Sequence, residues 1–152
     1  MKNKFFIPAF AIFLLFIMAT YFLINPSYEK SLKAKYYFEI AEYDKAYSLA
    51  KEAFSLDLYN RMASTIMTQS QTSLKYVSYI QDAKKYMQVI DEIATHERIS
   101  EADKAKIRMM CNIMISSYVK LAPSVITDET LINESAEYYS KFEKLLEKVN
   151  KN

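Results

Sequence analysis

No glycine occurs anywhere in the 152 residues, and the only prolines are Pro8, Pro26 and Pro123. Tight turns between antiparallel strands need backbone at positive φ, which glycine supplies most readily. Apolar residues recur instead at three- and four-residue spacings, the period of a helix face. The chain is therefore expected to be all-α. The same omission removes whole classes of chemistry. A P-loop, a dinucleotide-binding turn and a nucleophile elbow all require glycine where backbone meets a ligand or takes positive φ.

The N-terminal region sets a second constraint. Phe5 to Ile24 (FFIPAFAIFLLFIMATYFLI) holds no charged residue. Twenty helical residues rise about 30 Å, the hydrocarbon thickness of a bilayer. Pro8 falls in the first turn, where its missing N–H costs little, and Asn25-Pro26 ends the run. Tyr21 and Tyr28 lie where interfacial aromatics gather. A cleaved signal has a shorter apolar region ending in a small-x-small site, whereas Ala19 here follows the bulky Ile17 by two residues. Residues 5–24 therefore read as an uncleaved transmembrane anchor. Lys2 and Lys4 precede it; Lys30, Lys33 and Lys35 follow. The short charged tail, residues 1–4, is expected to stay in the cytoplasm. That orientation puts the C-terminal domain on the periplasmic, extracytoplasmic side of an inner (cytoplasmic) membrane.

Charge and reactive residues narrow the function. All 18 acidic residues lie beyond residue 24, and without Lys2 and Lys4 the 20 basic residues become 18, so this part is formally neutral. It lacks the basic field that displaces counterions from phosphates, so no nucleic acid is expected as partner. His96 is the only histidine and Cys111 the only cysteine, too few to complete a zinc site. Cys111, in the apolar run MMCNIMI, reads as a buried small hydrophobe. His96 reads as a solvated residue at a helix end. The acids around it, Asp91, Glu92, Glu97, Glu101 and Asp103, are interspersed with Arg98 and Lys104 and read as a solvated junction. No catalytic residue, metal, cofactor or small-molecule substrate is expected, and the chain does not read as an enzyme.

Beyond the anchor the periodicity predicts six helices, near 27–41, 44–56, 61–77, 80–95, 100–123 and 128–149. Asp44 favours the positive end of the second helix dipole. Asn60 is an N-cap for the third. Ser100 with Asp103 forms a capping box for the fifth, and Thr127 or Asp128 caps the sixth. Short connections predict antiparallel neighbours, hence about three helical hairpins in a domain spanning 27–149, with 150–152 as a tail.

The stretch YYFEIAEYDKAYSLAKEAFSLD, residues 36–57, carries a more specific pattern. It resembles the tetratricopeptide repeat, a helix–turn–helix unit of about 34 residues, and the unit would cover 27–60. The resemblance implies that Ala34 and Ala46 are small where the two helices touch. Ala53 would admit the next hairpin, with Ala50 extending the small face. Tyr37 fills the space between helices, and Tyr43 also falls on the pattern. Lys30, Lys33 and Leu58 depart from it. A second unit is more degenerate, with Ala83 as its anchor and Gln71 where a small residue is usual; in 100–149 only Ala136 is comparable. The fold implied is an α-solenoid of tetratricopeptide type.

Such units present a groove from the first helix of each pair. Lys35 and Phe38 fall on the first unit's groove-forming helix. Met62 to Leu74 contains no charge and displays Thr65, Thr68, Gln69 and Thr72, hydroxyls and amides suited to hydrogen bonding an extended or helical partner segment. Tyr36, Tyr79, Tyr86, Tyr138 and Tyr139, with Met109, Met110 and Met114, suggest further contact surface. The reading is a membrane-anchored protein–protein interaction scaffold, an accessory or assembly subunit of an envelope complex such as a flagellar motor, translocon or secretion machine. The alternative is a periplasmic chaperone that holds clients.

Overall fold

A computed structural model describes residues 6–151. The tail at 1–4, Phe5 at the start of the expected anchor, and Asn152 lie outside the described residues. These fold into six helices, with no strand among them. They are α1 (Phe6–Ile24), α2 (Pro26–Glu39), α3 (Tyr43–Leu56), α4 (Arg61–Ala94), α5 (Glu101–Tyr118) and α6 (Glu129–Lys151). The chain divides between Ser70 and Gln71 into two compact units.

The first unit is built on an antiparallel hairpin with a seam of small residues. Ser27, Ser31 and Ala34 follow one another at i, i+4 and i+7 on α2, and Ala46, Ala50 and Ala53 do the same work on α3; all six are fully buried. Such side chains let two backbones approach closely. Ala34, Ala46 and Ala50 join Ile66 of α4 in one apolar cluster, walled by Tyr37, Phe38, Leu49, Met62 and Met67. Phe38 meets Tyr43 edge-on at 5.5 Å, a favourable geometry for aromatic quadrupoles.

The turn from α2 to α3 shows how a glycine-free chain reverses direction. Ala41 sits in the left-handed region at φ 61°. The Glu42 N–H donates to the Tyr37 carbonyl at 2.9 Å and the Ala41 N–H to Phe38 at 3.1 Å. These are the paired bonds of a Schellman motif, in which glycine usually holds the left-handed position. Alanine there brings its Cβ against the backbone.

Helix α1 is apolar on every side, with Ile7, Phe10, Ile12, Phe13, Leu15, Phe16 and Ile24 all exposed. No single helix among the described residues is long and apolar enough to cross a membrane. The segments Ile7–Tyr21 and Pro26–Glu39, bent by 80° at a short break, meet that requirement together by length and composition. Asn25 caps the second segment, its side chain accepting from the Ser27 N–H at 3.0 Å.

The second unit gathers α5, α6 and most of α4 around Tyr79, Ile80, Ala83, Ile90, Ile93, Ile107, Met110, Cys111, Met114 and Phe142. The chain directions of α5 and α6 oppose each other, since Arg108 reaches Asn150 and the Val149 carbonyl near the far end of α6. The capping box at Ser100 and Asp103 is present, as are Asn60 and Asp128 as helix-start acceptors.

The helix pattern differs from expectation at two places: α5 stops at Tyr118 instead of near 123, and an expected break is absent. The two helices predicted for 61–77 and 80–95 are a single helix, α4, 34 residues long. No proline or glycine interrupts 61–94. The buried positions Ser70, Ser73, Tyr76, Ile80 and Ala83 keep their three- and four-residue spacing straight through Ser78-Tyr79. The stripe never changes phase, so nothing favours a break. Five helices therefore follow α1, with hairpins at α2/α3 and α5/α6 and no hairpin around Ala83. At the other proposed anchor, Ser135 is fully buried and Ala136 only partly.

Replacing Ala41 by glycine relieves the left-handed alanine at the cost of a more flexible unfolded chain. Ala41→Gly is expected to stabilise the first unit by about 0.5–1 kcal/mol in chemical denaturation. Unchanged or lowered stability contradicts the strained Schellman turn.

Candidate partner-binding surfaces

The residues that position the first unit's surface meet at a buried polar junction. The Asn60 side-chain amide donates to Ser27 Oγ and to Ser31 Oγ, each at 2.8 Å. Its Oδ1 accepts from the Ala63 N–H at 3.1 Å, capping α4. Ser27 Oγ donates to the Ala53 carbonyl at 2.8 Å, and Ser31 Oγ to the Ser27 carbonyl at 2.8 Å. Every donor has an acceptor, which is what allows polar groups to be buried without penalty. Nearby, Lys30 and Glu52 pair across α2 and α3 at 2.6 Å. Sequence reasoning saw only the cap. The missed signal was the i, i+4, i+7 run Ser27, Ser31, Ala34, small residues facing another small stripe.

The predicted partner-binding residues are placed as follows. Lys35 is exposed and pairs with Glu39 at 3.7 Å. Phe38 is half-buried in the wall of the apolar cluster. Thr65 is exposed, and the exposed Thr68 donates its hydroxyl to the Ser64 carbonyl at 3.0 Å. Gln69 is half-buried in the first unit; Thr72, also half-buried, belongs to the second. Of the predicted repeat-packing residues, Ala34, Ala46, Ala50 and Ala53 are fully buried, Tyr43 is buried, and Tyr37 is half-exposed.

Each unit carries a groove. In the first, Tyr37, Asp44, Lys45, Ser48, Leu49 and Glu52 line about 380 Å³. Lys45 lies 5.3 Å from the Tyr37 ring centre and 2.6 Å from Glu42. The hydrogen bond and charge of Glu42 hold the Lys45 ammonium above its ordinary pKa. In the second, Leu74, Tyr79, Tyr86, Met114 and Leu121 form the apolar part of a groove of about 470 Å³, with Lys75 and Asp82 on the same lining.

Tyr79 corrects a sequence expectation. With Met110 and Met114 it was expected on a contact surface, yet all three are core, Tyr79 only 4% exposed. Its hydroxyl has no hydrogen-bond partner. Its ring lies 5.8 Å from Tyr118, which stacks on Tyr139 at 4.5 Å, and burial pushes its pKa up to about 12. Tyr139 donates to Glu143 at 2.6 Å, and that carboxylate raises its pKa in turn. Met109 and Tyr36 are exposed, while Tyr86 and Tyr138 are partly buried.

The remaining reactive groups are structurally engaged. Cys111 is fully buried, and desolvation raises its thiol pKa, which suppresses thiolate chemistry. Asp103 is committed to the capping box, where bonds from Ser100 hold its carboxyl below the usual range. Exposed His96 stands 4.0 Å from it. No group of three or more metal-ligating side chains is placed to hold an ion among the described residues. Both grooves combine apolar walls with a few charges at the edge. No protein-family model, curated protein or solved structure matches this chain.

The orphan Tyr79 hydroxyl has a pH consequence. The fold favours the neutral phenol over the ordinary value of 10.0. Stability from that preference is complete below pH 10 and drains away as pH rises towards 12. Tyr79→Phe is expected to flatten the loss of stability between pH 10 and 12 and, by removing an unsatisfied buried group, to raise neutral-pH stability by about 1 kcal/mol. An unchanged alkaline profile contradicts the assignment.

Proposed function

We propose that the chain is a membrane-anchored protein-interaction module, with α1 as the anchor and the helices beyond it as the binding part. The observation that carries the reading is the surface of α1. A helix apolar all round belongs in hydrocarbon or in a protein core, and its side chains from Ile7 to Tyr21, with Ile24, are largely exposed. Taken as sequence, the uncharged run Phe5 to Ile24 has the length of a bilayer crossing, and among the described residues the bent pair Ile7–Tyr21 and Pro26–Glu39 reaches that length together.

The helices beyond are suited to hold a partner. The α2/α3 hairpin resembles a tetratricopeptide unit through Ala34, Ala46 and Ala53, and α4 extends the first unit's cluster through Ile66. The exposed grooves combine aromatic and aliphatic walls with isolated charges, as protein interfaces do. Confinement at a membrane raises the effective concentration of a partner in the same membrane, which fits an accessory or assembly subunit of an envelope complex. The orientation follows from the short charged tail ahead of the run and puts the helices outside the cytoplasm.

A reporter that is active only outside the cytoplasm, fused after Asn152, is expected to be active, and the fusion to stay with membranes through alkaline carbonate washing. Release by the wash contradicts the anchor; a silent reporter on a retained fusion reverses the orientation. Crosslinking in native membranes then identifies the partner. One stable stoichiometric partner supports the subunit reading, and many exchangeable ones a client-holding chaperone.

A further inference from the structure

The turn between α3 and α4 exposes apolar side chains that its own geometry does not require. Leu56 is 56% exposed, Leu58 68% and Tyr59 93%. The turn is made by polar atoms: Asp57 Oδ1 accepts from the Tyr59 N–H at 2.9 Å, and the Asn60 N–H donates to the Asp57 carbonyl at 3.1 Å. Leu58 and Tyr59 take no part in the apolar cluster of the first unit.

The position of this turn is fixed. Asn60, next to Tyr59, bonds Ser27 and Ser31 at 2.8 Å, and Ser27 bonds the Ala53 carbonyl at 2.8 Å. Ser27 lies three residues beyond Ile24, the last residue of α1. The exposed apolar turn therefore stands beside the point where the apolar helix gives way to the charged α2.

We infer that this turn is a second contact with the lipid surface, Leu56, Leu58 and Tyr59 entering the interfacial layer of the bilayer in which the apolar run is proposed to sit. The inference rests on the anchor reading above. A boundary between hydrocarbon and headgroups is set by the end of α1, and Ser27, three residues on in the first turn of α2, ties the neighbouring Asn60 to that end of the hairpin. Tyrosine favours that layer because its ring is apolar and its hydroxyl stays wet. Arg61, exposed and the first residue of α4, follows the turn directly and suits lipid phosphates. A span alone leaves the hairpin free to tilt against the membrane surface. A second contact at Tyr59, next to the Asn60 that bonds Ser27, limits that tilt and sets which side of the hairpin faces the lipid.

The chain has no tryptophan, so single replacements report cleanly. The full chain carrying Tyr59→Trp or Phe13→Trp is reconstituted into vesicles of phosphatidylcholine and phosphatidylglycerol containing lipids brominated at shallow or deep acyl positions. Tyr59 is exposed, so the exchange disturbs no packing. The expected result is a blue-shifted Tyr59→Trp emission quenched at least twofold by shallow bromine, with Phe13→Trp quenched by deep bromine. Water-like, unquenched Tyr59→Trp emission beside a quenched Phe13→Trp overturns the second contact and leaves the anchor standing. Lack of quenching in both proteins overturns the anchor and the contact with it.

Discussion

One asparagine side chain ties three helix ends together. Asn60 caps α4 through its oxygen and, through its nitrogen, binds the two serines at the start of α2, one of which holds the last turn of α3. The group is fully buried, and an unmet polar atom there would cost about 1–3 kcal/mol. The network is therefore specific: only one register of α2 against α3 satisfies it. Surface pairs such as Lys30–Glu52 add little by comparison, because water and side-chain entropy offset most of their attraction.

The small-residue seam follows from the same register. With Ser27 fixed on Ala53, Ala34 falls level with Ala46 and Ala50, and Ile66 of α4 closes the cluster. The groove beside Tyr37 and Leu49 is the outer side of this seam. Here packing sets the shape of the groove. In the second unit the logic differs. Large side chains fill the core, and Tyr79 keeps an unpaired hydroxyl inside it.

Legibility in the sequence followed the nature of the signal. Alanines at helical spacing marked the α2/α3 seam, and Ser100 with Asp103 marked a helix start, because each acts through local chemistry. The continuity of α4 was obscured at Ser78-Tyr79, where an exposed serine and a tyrosine between two predicted helices read as a break although Tyr76, Tyr79 and Ile80 are buried. Ser27 and Ser31 were hidden because their partner Asn60 lies about thirty residues away. Tyr79 read as surface because tyrosine usually keeps its hydroxyl wet. The predicted polar strip of α4 mixes exposed Thr65 and Thr68 with half-buried Gln69 and Thr72, a difference that depends on neighbours distant in the chain.

The Asn60 junction holds the α2/α3 hairpin in register. Equilibrium unfolding of Asn60→Ala against the parent chain, both in detergent, tests it most directly. The substitution removes a helix cap and two buried hydrogen bonds, and the account predicts a loss of about 2–4 kcal/mol. A loss below about 0.5 kcal/mol, the scale of an ordinary surface change, would contradict it.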